Sequence, residues 1–359
     1  MVLREADGEW RGSTTRLKAS KPNVVRGSAR DAISVDRLRG RRVGKEQNLK
    51  GKIMRCPTLV ELPKPPADKS GWPWTEESRQ LPELMPNQEP WPKLTVVTPV
   101  YNQEGFIEET IRSVLLQGYP DYEHIIINDG STDGSLAVIA KYLPWVICIT
   151  QKNAGQSAAL NRGFRMAQGE LIGWQNSDDF YGPDNFKEGA IASVQFPDYE
   201  IYNGTTRGFQ EMEFRPPWLF ESCEEFSQSG LLERMCVMNQ SMFFRRRIFE
   251  QGVFLKEEMH YAMDPDFFWR LSLEGFRYKL APLMVGYYRQ QAAAKSTNYS
   301  LRGDLEAYGI LRWLCRDKRL APELRRIARS KLRTSFLRSF TKARRSVPKK
   351  LAPELLLPI

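Results

Sequence analysis

With 359 residues, 41% of them apolar and 27% charged, the chain has the composition of a soluble globular protein. It is long enough to bury a core without metal or disulfide staples. Five scattered cysteines with no CxxC pair exclude a disulfide framework or zinc knuckle, and two histidines, His124 and His260, exclude histidine-rich metal sites and argue against Ser-His-Asp chemistry. The net charge of +10 conceals a division, since residues 1–60 carry +9, residues 61–300 carry −10 and residues 301–359 carry +11. The two basic ends, not the acidic middle, are therefore the parts expected to meet an anionic membrane or nucleic acid.

Residues 1–55 are polar and basic without helical or strand periodicity and are expected to be mostly disordered or loosely attached. Arg4, Glu5, Asp7 and Glu9 stand where a secretory signal would have its apolar region, so none is expected. No run reaches the ~18 apolar residues of a membrane span. Residues 56–93 hold nine prolines together with Trp72, Trp74 and Trp91, the pattern of an extended arm pinned on a surface.

The pattern changes at Leu94. LTVVTPV (94–100) is a buried-strand run; Asn102 is a candidate helix cap; Ile107, Ile111, Val114 and Leu115 then mark one face of an amphipathic helix that Gly118 and Pro120 end. A second strand at 123–128 leads into the turn DGSTDG and a helix around 134–142. A strand near 145–150, a helix near 156–167 and a strand at 171–175 follow. Strands alternating with helices at these spacings define a parallel βαβ sheet, whose ligands bind at the carboxyl ends of the strands.

Three polar clusters follow three of those strand ends: Tyr101-Asn102, Asp129-Gly130-Ser131-Thr132-Asp133, and Asn176-Ser177-Asp178-Asp179. One carboxylate in such a place can accept hydrogen bonds from a nucleoside, and another can hold Mg²⁺ or Mn²⁺ against a diphosphate. Taken singly, Asp-Gly is a turn and Asp-Asp a helix cap; their order and spacing carry the reading. No GxGxxG follows the first strand and no P-loop motif occurs, so dinucleotide and P-loop readings lack their phosphate cradles.

The run TVVTPVYNQEGFIEETIRSVLLQGYPDYEHIIINDGSTDGS, followed by NAGQSAALNRGFRMAQGELIGWQNSDD, resembles the inverting family-2 glycosyltransferases of the GT-A fold, above all bacterial members that build surface polysaccharides. The resemblance covers about residues 94–298. It implies a mostly parallel, Rossmann-like α/β sheet flanked by helices, between an irregular N-terminal arm (1–93) and a basic helical C-terminal extension (301–359). It also implies that Pro99, Tyr101, Glu104 and Asp129 line the nucleoside pocket, and that a loop from Gln156 to Asn161 approaches the ribose and diphosphate. Asn176 to Asp179 would be the metal motif, with the ion on Asp178 or Asp179 because Asn176 replaces the usual first acid. MNQSMFFRR (238–246) resembles the segment facing the acceptor. MDPDFFWRL (263–271) resembles the catalytic-base motif, with Asp264 as base and Asp266, Trp269 and Arg270 supporting it. Met263 stands where an acid is usual. In YRQQAAAKS (288–296) Gln291 replaces a histidine and Ala294 a serine, leaving Arg289 and Lys295 to neutralise the diphosphate.

The expected activity is metal-assisted, inverting transfer of a sugar from a nucleotide diphosphate sugar to an acceptor hydroxyl, in the cytoplasm. Two alternatives are a catalytically silent nucleotide-sugar binder on the same fold and a nucleic-acid binder using the basic ends. The second lacks a recognition motif. From about residue 301, Leu305, Tyr308, Leu311, Leu314, Leu324, Ile327, Leu332, Phe336 and Phe340 recur among many arginines. Such helices either lie on an anionic membrane as a peripheral contact or pack on the core with a solvated basic face.

Overall fold

The computed structural model describes residues 54–210, 218–220, 227–234, 237–291 and 301–346. The expectation of disorder at the N-terminus falls almost wholly outside these residues, as does Lys295. The strands are β1 (Leu94–Val100), β2 (Tyr122–Asn128), β3 (Ile147–Thr150), β4 (Leu171–Trp174), β5 (Phe180–Tyr181), β6 (Ile201–Gln210), β7 (Trp218–Phe220), β8 (Met242–Arg245) and β9 (Tyr278–Gln290). Among the described residues they form one sheet of order β3-β2-β1-β4-β8-β6-β9-β5, with β7 paired to β6. The half built from β1 to β4 is parallel; β8, β5 and β7 join antiparallel. The helices are α1 (Ile107–Leu115), α2 (Ser135–Ala140), α3 (Gln156–Met166), α4 (Asn185–Gln195), α5 (Gln228–Arg234), α6 (Arg247–Glu250), α7 (Met263–Leu273), α8 (Leu301–Leu314) and α9 (Pro322–Ser346).

β1 and β2 are buried along their whole length, as central parallel strands covered on both faces must be. Successive residues of β1 feed opposite cores. Val96 and Val100 pack with Ile107 and Ile111 of α1 on one face. Val97 packs with Leu160 and Phe164 of α3 on the other. A Cβ at Gly163 would lie 2.2 Å from Val97 Cγ1, so glycine is what lets α3 approach β1 this closely. His124, on β2, is fully buried with Nε2 3.0 Å from Thr98 Oγ1, and burial pushes its pKa down to about 3. It is a neutral core residue rather than a site residue.

The proline-rich arm is pinned to α1. Proline removes backbone donors but keeps carbonyls, and the buried Arg112 guanidinium supplies the missing donors. Arg112 Nε donates to the Pro73 carbonyl at 3.0 Å, Nη1 to that of Pro63 at 2.9 Å and Nη2 to that of Trp74 at 2.9 Å. Trp74 and Trp91 are buried, and Trp72 Nε1 donates to the Tyr181 carbonyl at 2.7 Å. Ile310, Leu314, Leu320 and Ala328 of the C-terminal segment join the same core as α7, so its inner face is packed. Among the described residues no helix is long and apolar enough to cross a membrane.

Candidate active site

A cavity of about 590 Å³ opens at the carboxyl ends of β1, β2 and β4. Pro99, Tyr101 and Gln103 line it after β1, Asp129 after β2, and Asn176 to Asp179 after β4. Gly155 and Gln156 at the start of α3 complete that side. Opposite lie Met238 to Gln240, His260, Tyr261, Asp264 and Pro265, with Tyr288 and Arg289 of β9. The strand-end placement of the three polar clusters follows from the parallel topology.

Asp129 organises its own loop. Its Oδ1 accepts from Gln151 Nε2 at 2.8 Å and Ala154 N at 2.9 Å, and its Oδ2 from Gly155 N at 2.8 Å. The chain reverses there because Gly155 takes φ +94°, a conformation open to glycine. Asn102 does not cap α1, whose N-cap residue is Phe106. At φ 52° its Oδ1 accepts instead from Thr132 N at 2.8 Å. Glu104 is absent from the wall and accepts from Gly134 N at 2.6 Å. These bonds brace the loop after β1 against the DGSTDG turn. The stretch from Gln156 to Asn161 is not a loop but the first turns of α3. Gln156 faces the cavity. Asn161 is buried behind it, bonded to the Leu255 carbonyl at 2.9 Å and to Leu255 N at 3.0 Å.

The Asp178–Asp179 pair divides into an inner and an outer member. Asp179 is 1% exposed; its Oδ1 accepts from Arg289 N at 2.9 Å, and its Oδ2 from Gln240 Nε2 at 2.9 Å and Asn176 Nδ2 at 3.0 Å. Burial, and then the neighbouring Asp178 charge, push its pKa up to about 8. Asp178 is half-buried, with Oδ2 accepting from Gln291 Nε2 at 2.8 Å. Asn176 accepts from Gln156 Nε2 at 3.0 Å and Trp174 Nε1 at 2.9 Å while donating to Asp179. An aspartate there would set a second acceptor against Asp179, which explains the amide. Arg289 lines the cavity, but its guanidinium is committed: Nη2 pairs with Glu109 and Nε donates to the Asp178 carbonyl at 2.8 Å. Its backbone N–H and guanidinium thus bracket the carboxylate pair. Among the described wall residues, Asp129, Asp178, Asp179 and Asp264 outnumber this one paired guanidinium.

Asp264 lies in the first turn of α7, on the wall. Asp266 shares that turn but is not on the wall; it is 1% exposed, held by Lys256 Nζ at 2.6 Å and Arg270 Nε at 2.7 Å. Arg270 also donates to the Phe254 carbonyl at 2.6 Å, and Trp269 is buried in the core, so these three fix α7. Sequence reasoning did not single out His260, Tyr261, Asn239, Gln240 or Tyr288. The run 238–246 was the only available signal for the amides. Asn239 Nδ2 and Gln240 Oε1 are buried and unpartnered beside the cavity.

Residues 95–253 match the family model of Glycosyl transferase family 2. "Glycosyltransferase GlyA" of Streptococcus pneumoniae is 36% identical over 124 residues, 34% of this chain and 18% of that protein. "Uncharacterized glycosyltransferase EpsJ" of Bacillus subtilis is 27% identical over 211 residues, 55% of this chain and 61% of that protein. The chain thus spans less than two thirds of these curated relatives. S. aureus TarS 1-349, solved with UDP-GlcNAc, superposes with TM-score 0.57 at 17% identity, covering 73% of this chain and 78% of that one. Mannosyltransferase PcManGT of Pyrobaculum calidifontis, solved with GDP-Man and Mn²⁺, gives TM-score 0.51 at 16% identity, covering 81% and 82%. The fold is of the GT-A type.

Proposed function

We propose that this chain transfers a sugar from a nucleoside diphosphate sugar to an acceptor hydroxyl by single displacement, with inversion, in surface polysaccharide or glycolipid synthesis. The observation that carries this reading is one cavity shared by the Asp178–Asp179 pair at the strand ends and Asp264 at the start of α7. Tyr101, 49% exposed at the mouth, offers its ring to the base, and the braced loop around Asp129 shapes the ribose side. Asp264 accepts the proton of the acceptor hydroxyl as that oxygen attacks the anomeric carbon.

The donor set fits a hard divalent cation. Among the described residues, two adjacent carboxylates with few cationic neighbours leave a diphosphate uncompensated, and oxygen ligands suit Mg²⁺ or Mn²⁺. Asp178, the outer member, would hold the ion, with Asp179 behind it; a bound cation supplies charge neutralisation for the departing diphosphate. UDP-glucose, UDP-GlcNAc and GDP-mannose should be screened by thermal shift with and without Mn²⁺. At 100 times its Kd a ligand stabilises by about 2.7 kcal/mol, so at least one should raise Tm by several degrees only when Mn²⁺ is present. No shift with any of them would count against the reading, and a shift without turnover would favour the silent binder.

The same reading includes a peripheral contact with anionic lipid through α9, which carries nine Lys/Arg and one acidic residue. Arg326, Arg329 and Arg333 are exposed while Ala328 packs inward. Deleting the segment would also strip α8 from the core, so charge reversal is the cleaner test. At about 1 kcal/mol per basic residue, Arg326→Glu, Arg329→Glu and Arg333→Glu together should weaken binding to phosphatidylserine vesicles by ~10²-fold or more. Equal binding would exclude the contact.

A further inference from the structure

Helix α7 starts without a local cap. Its N-cap residue is Ala262, whose side chain accepts no hydrogen bond. The N–H groups there are taken by a residue from the C-terminal segment, Glu306 of α8. Its Oε2 accepts from Tyr261 N at 2.7 Å, from Ala262 N at 2.9 Å and from His260 N at 3.1 Å. Its Oε1 accepts from His260 N at 3.0 Å and from Arg302 Nε at 3.0 Å. Arg302, one turn earlier on α8, also donates through Nη2 to the Glu258 carbonyl at 2.9 Å. The segment 258–262 therefore hangs from one face of α8, and an anion stands at the N-terminus of α7, where the helix dipole favours it.

That segment leads directly into the wall of the cavity. His260 and Tyr261 line it, and Asp264 and Pro265 follow within the first turn of α7. Behind them α7 is tied through Asp266 to Lys256 and Arg270, so the helix body is fixed independently of its first residues. In the acceptor-side turn Glu306 gathers three successive amides.

We propose that Glu306, braced by Arg302, is a positioning residue for the acceptor half of the site, setting His260, Tyr261 and Asp264 against the donor side. The C-terminal extension is then part of the catalytic apparatus rather than an appendage. This inference rests on the reading of Asp264 as the base. A displacement of ~1 Å at a reacting group can cost ~10²-fold in rate, so a side chain that touches no substrate can still control turnover.

The test compares Glu306→Ala and Glu306→Gln with Ile310→Val, a mild packing change buried on the same helix. Amide hydrogen exchange is followed over residues 258–266. Turnover is measured with whichever of UDP-glucose, UDP-GlcNAc and GDP-mannose stabilises the protein with Mn²⁺, alongside Asp264→Asn. In Glu306→Ala, exchange at 260–262 should accelerate by ~10-fold or more, and Ile310→Val should leave it at the wild-type rate. The kcat of Glu306→Ala should fall by at least ~10-fold while donor KM changes by less than ~3-fold, with Glu306→Gln intermediate because it keeps one acceptor oxygen. If Glu306→Ala does not fold, Glu306→Gln decides by the same readings. Unchanged exchange at 260–262, or a kcat equal to that of Ile310→Val, overturns the proposal. Turnover sensitive to Glu306→Ala but not to Asp264→Asn would remove the base and leave the positioning role, acting through His260 and Tyr261.

Discussion

Asp264→Asn is expected to lower turnover by at least ~10²-fold, the low end of general-base catalysis, with donor affinity and Tm close to wild type. Asparagine keeps the size of the side chain but cannot take up a proton. Asp264 is not the N-cap of α7 and stands apart from the Asp266–Arg270–Lys256 cluster that fixes the helix body. Asp266→Asn should behave in the opposite way. It weakens two ion pairs around a carboxylate that is 1% exposed and that anchors α7 to Lys256 and Arg270. Its loss should therefore appear as a lower Tm, with turnover affected only through the stability of α7. A larger loss of turnover per folded molecule from Asp266→Asn would exchange the roles of the two.

The second large effect concerns the carboxylate pair. Asp178→Ala should abolish the Mn²⁺-dependent part of donor binding, seen by calorimetry as equal affinity with metal and with EDTA, in a protein that still folds. Asp179→Ala should instead unfold more readily. It strands the Arg289 N–H and the amides of Gln240 and Asn176, and each buried unsatisfied donor costs about 1–3 kcal/mol. Unaltered metal dependence in Asp178→Ala would remove the ion from this position.

The first half of the fold was readable because local signals agreed. LTVVTPV is an unbroken β-branched run and the 107–111–114–115 stripe ends at Gly118 and Pro120; β1 and β2 fall within a residue of the expected bounds, while α1 is capped at Phe106, four residues after the expected Asn102. The second half was not readable. β9 runs through Pro282 and Gly286, residues that ordinarily punctuate strands. A Cβ at Gly286 would lie 2.1 Å from the Gln240 carbonyl oxygen, and one at Gly204 would lie 2.4 Å from that of Met284. These glycines allow close backbone approach between β6, β9 and the Met238–Gln240 wall, a requirement that exists only in three dimensions.

The site shows the same division. Carboxylates at strand ends were visible, but not how deeply each is buried. Asp129, Asp179 and Asp266 are buried with both oxygens used on neighbouring groups, whereas Asp178 and Asp264 are half-buried on the cavity wall. Glu306 could not be found by motif, because its three amides lie 44 to 46 residues away in the chain. A cap supplied in trans leaves no local spacing to read.

The most direct test of single displacement at this cavity uses water as the acceptor, which requires no knowledge of the natural one. Proton NMR can follow the anomer first released from whichever α-linked donor binds with Mn²⁺, before mutarotation mixes the two forms. Attack assisted by one base on one face predicts the β anomer first, with a signal that falls in step with turnover in Asp264→Asn. Release of the α anomer first, or no release from any donor that binds, would contradict the account.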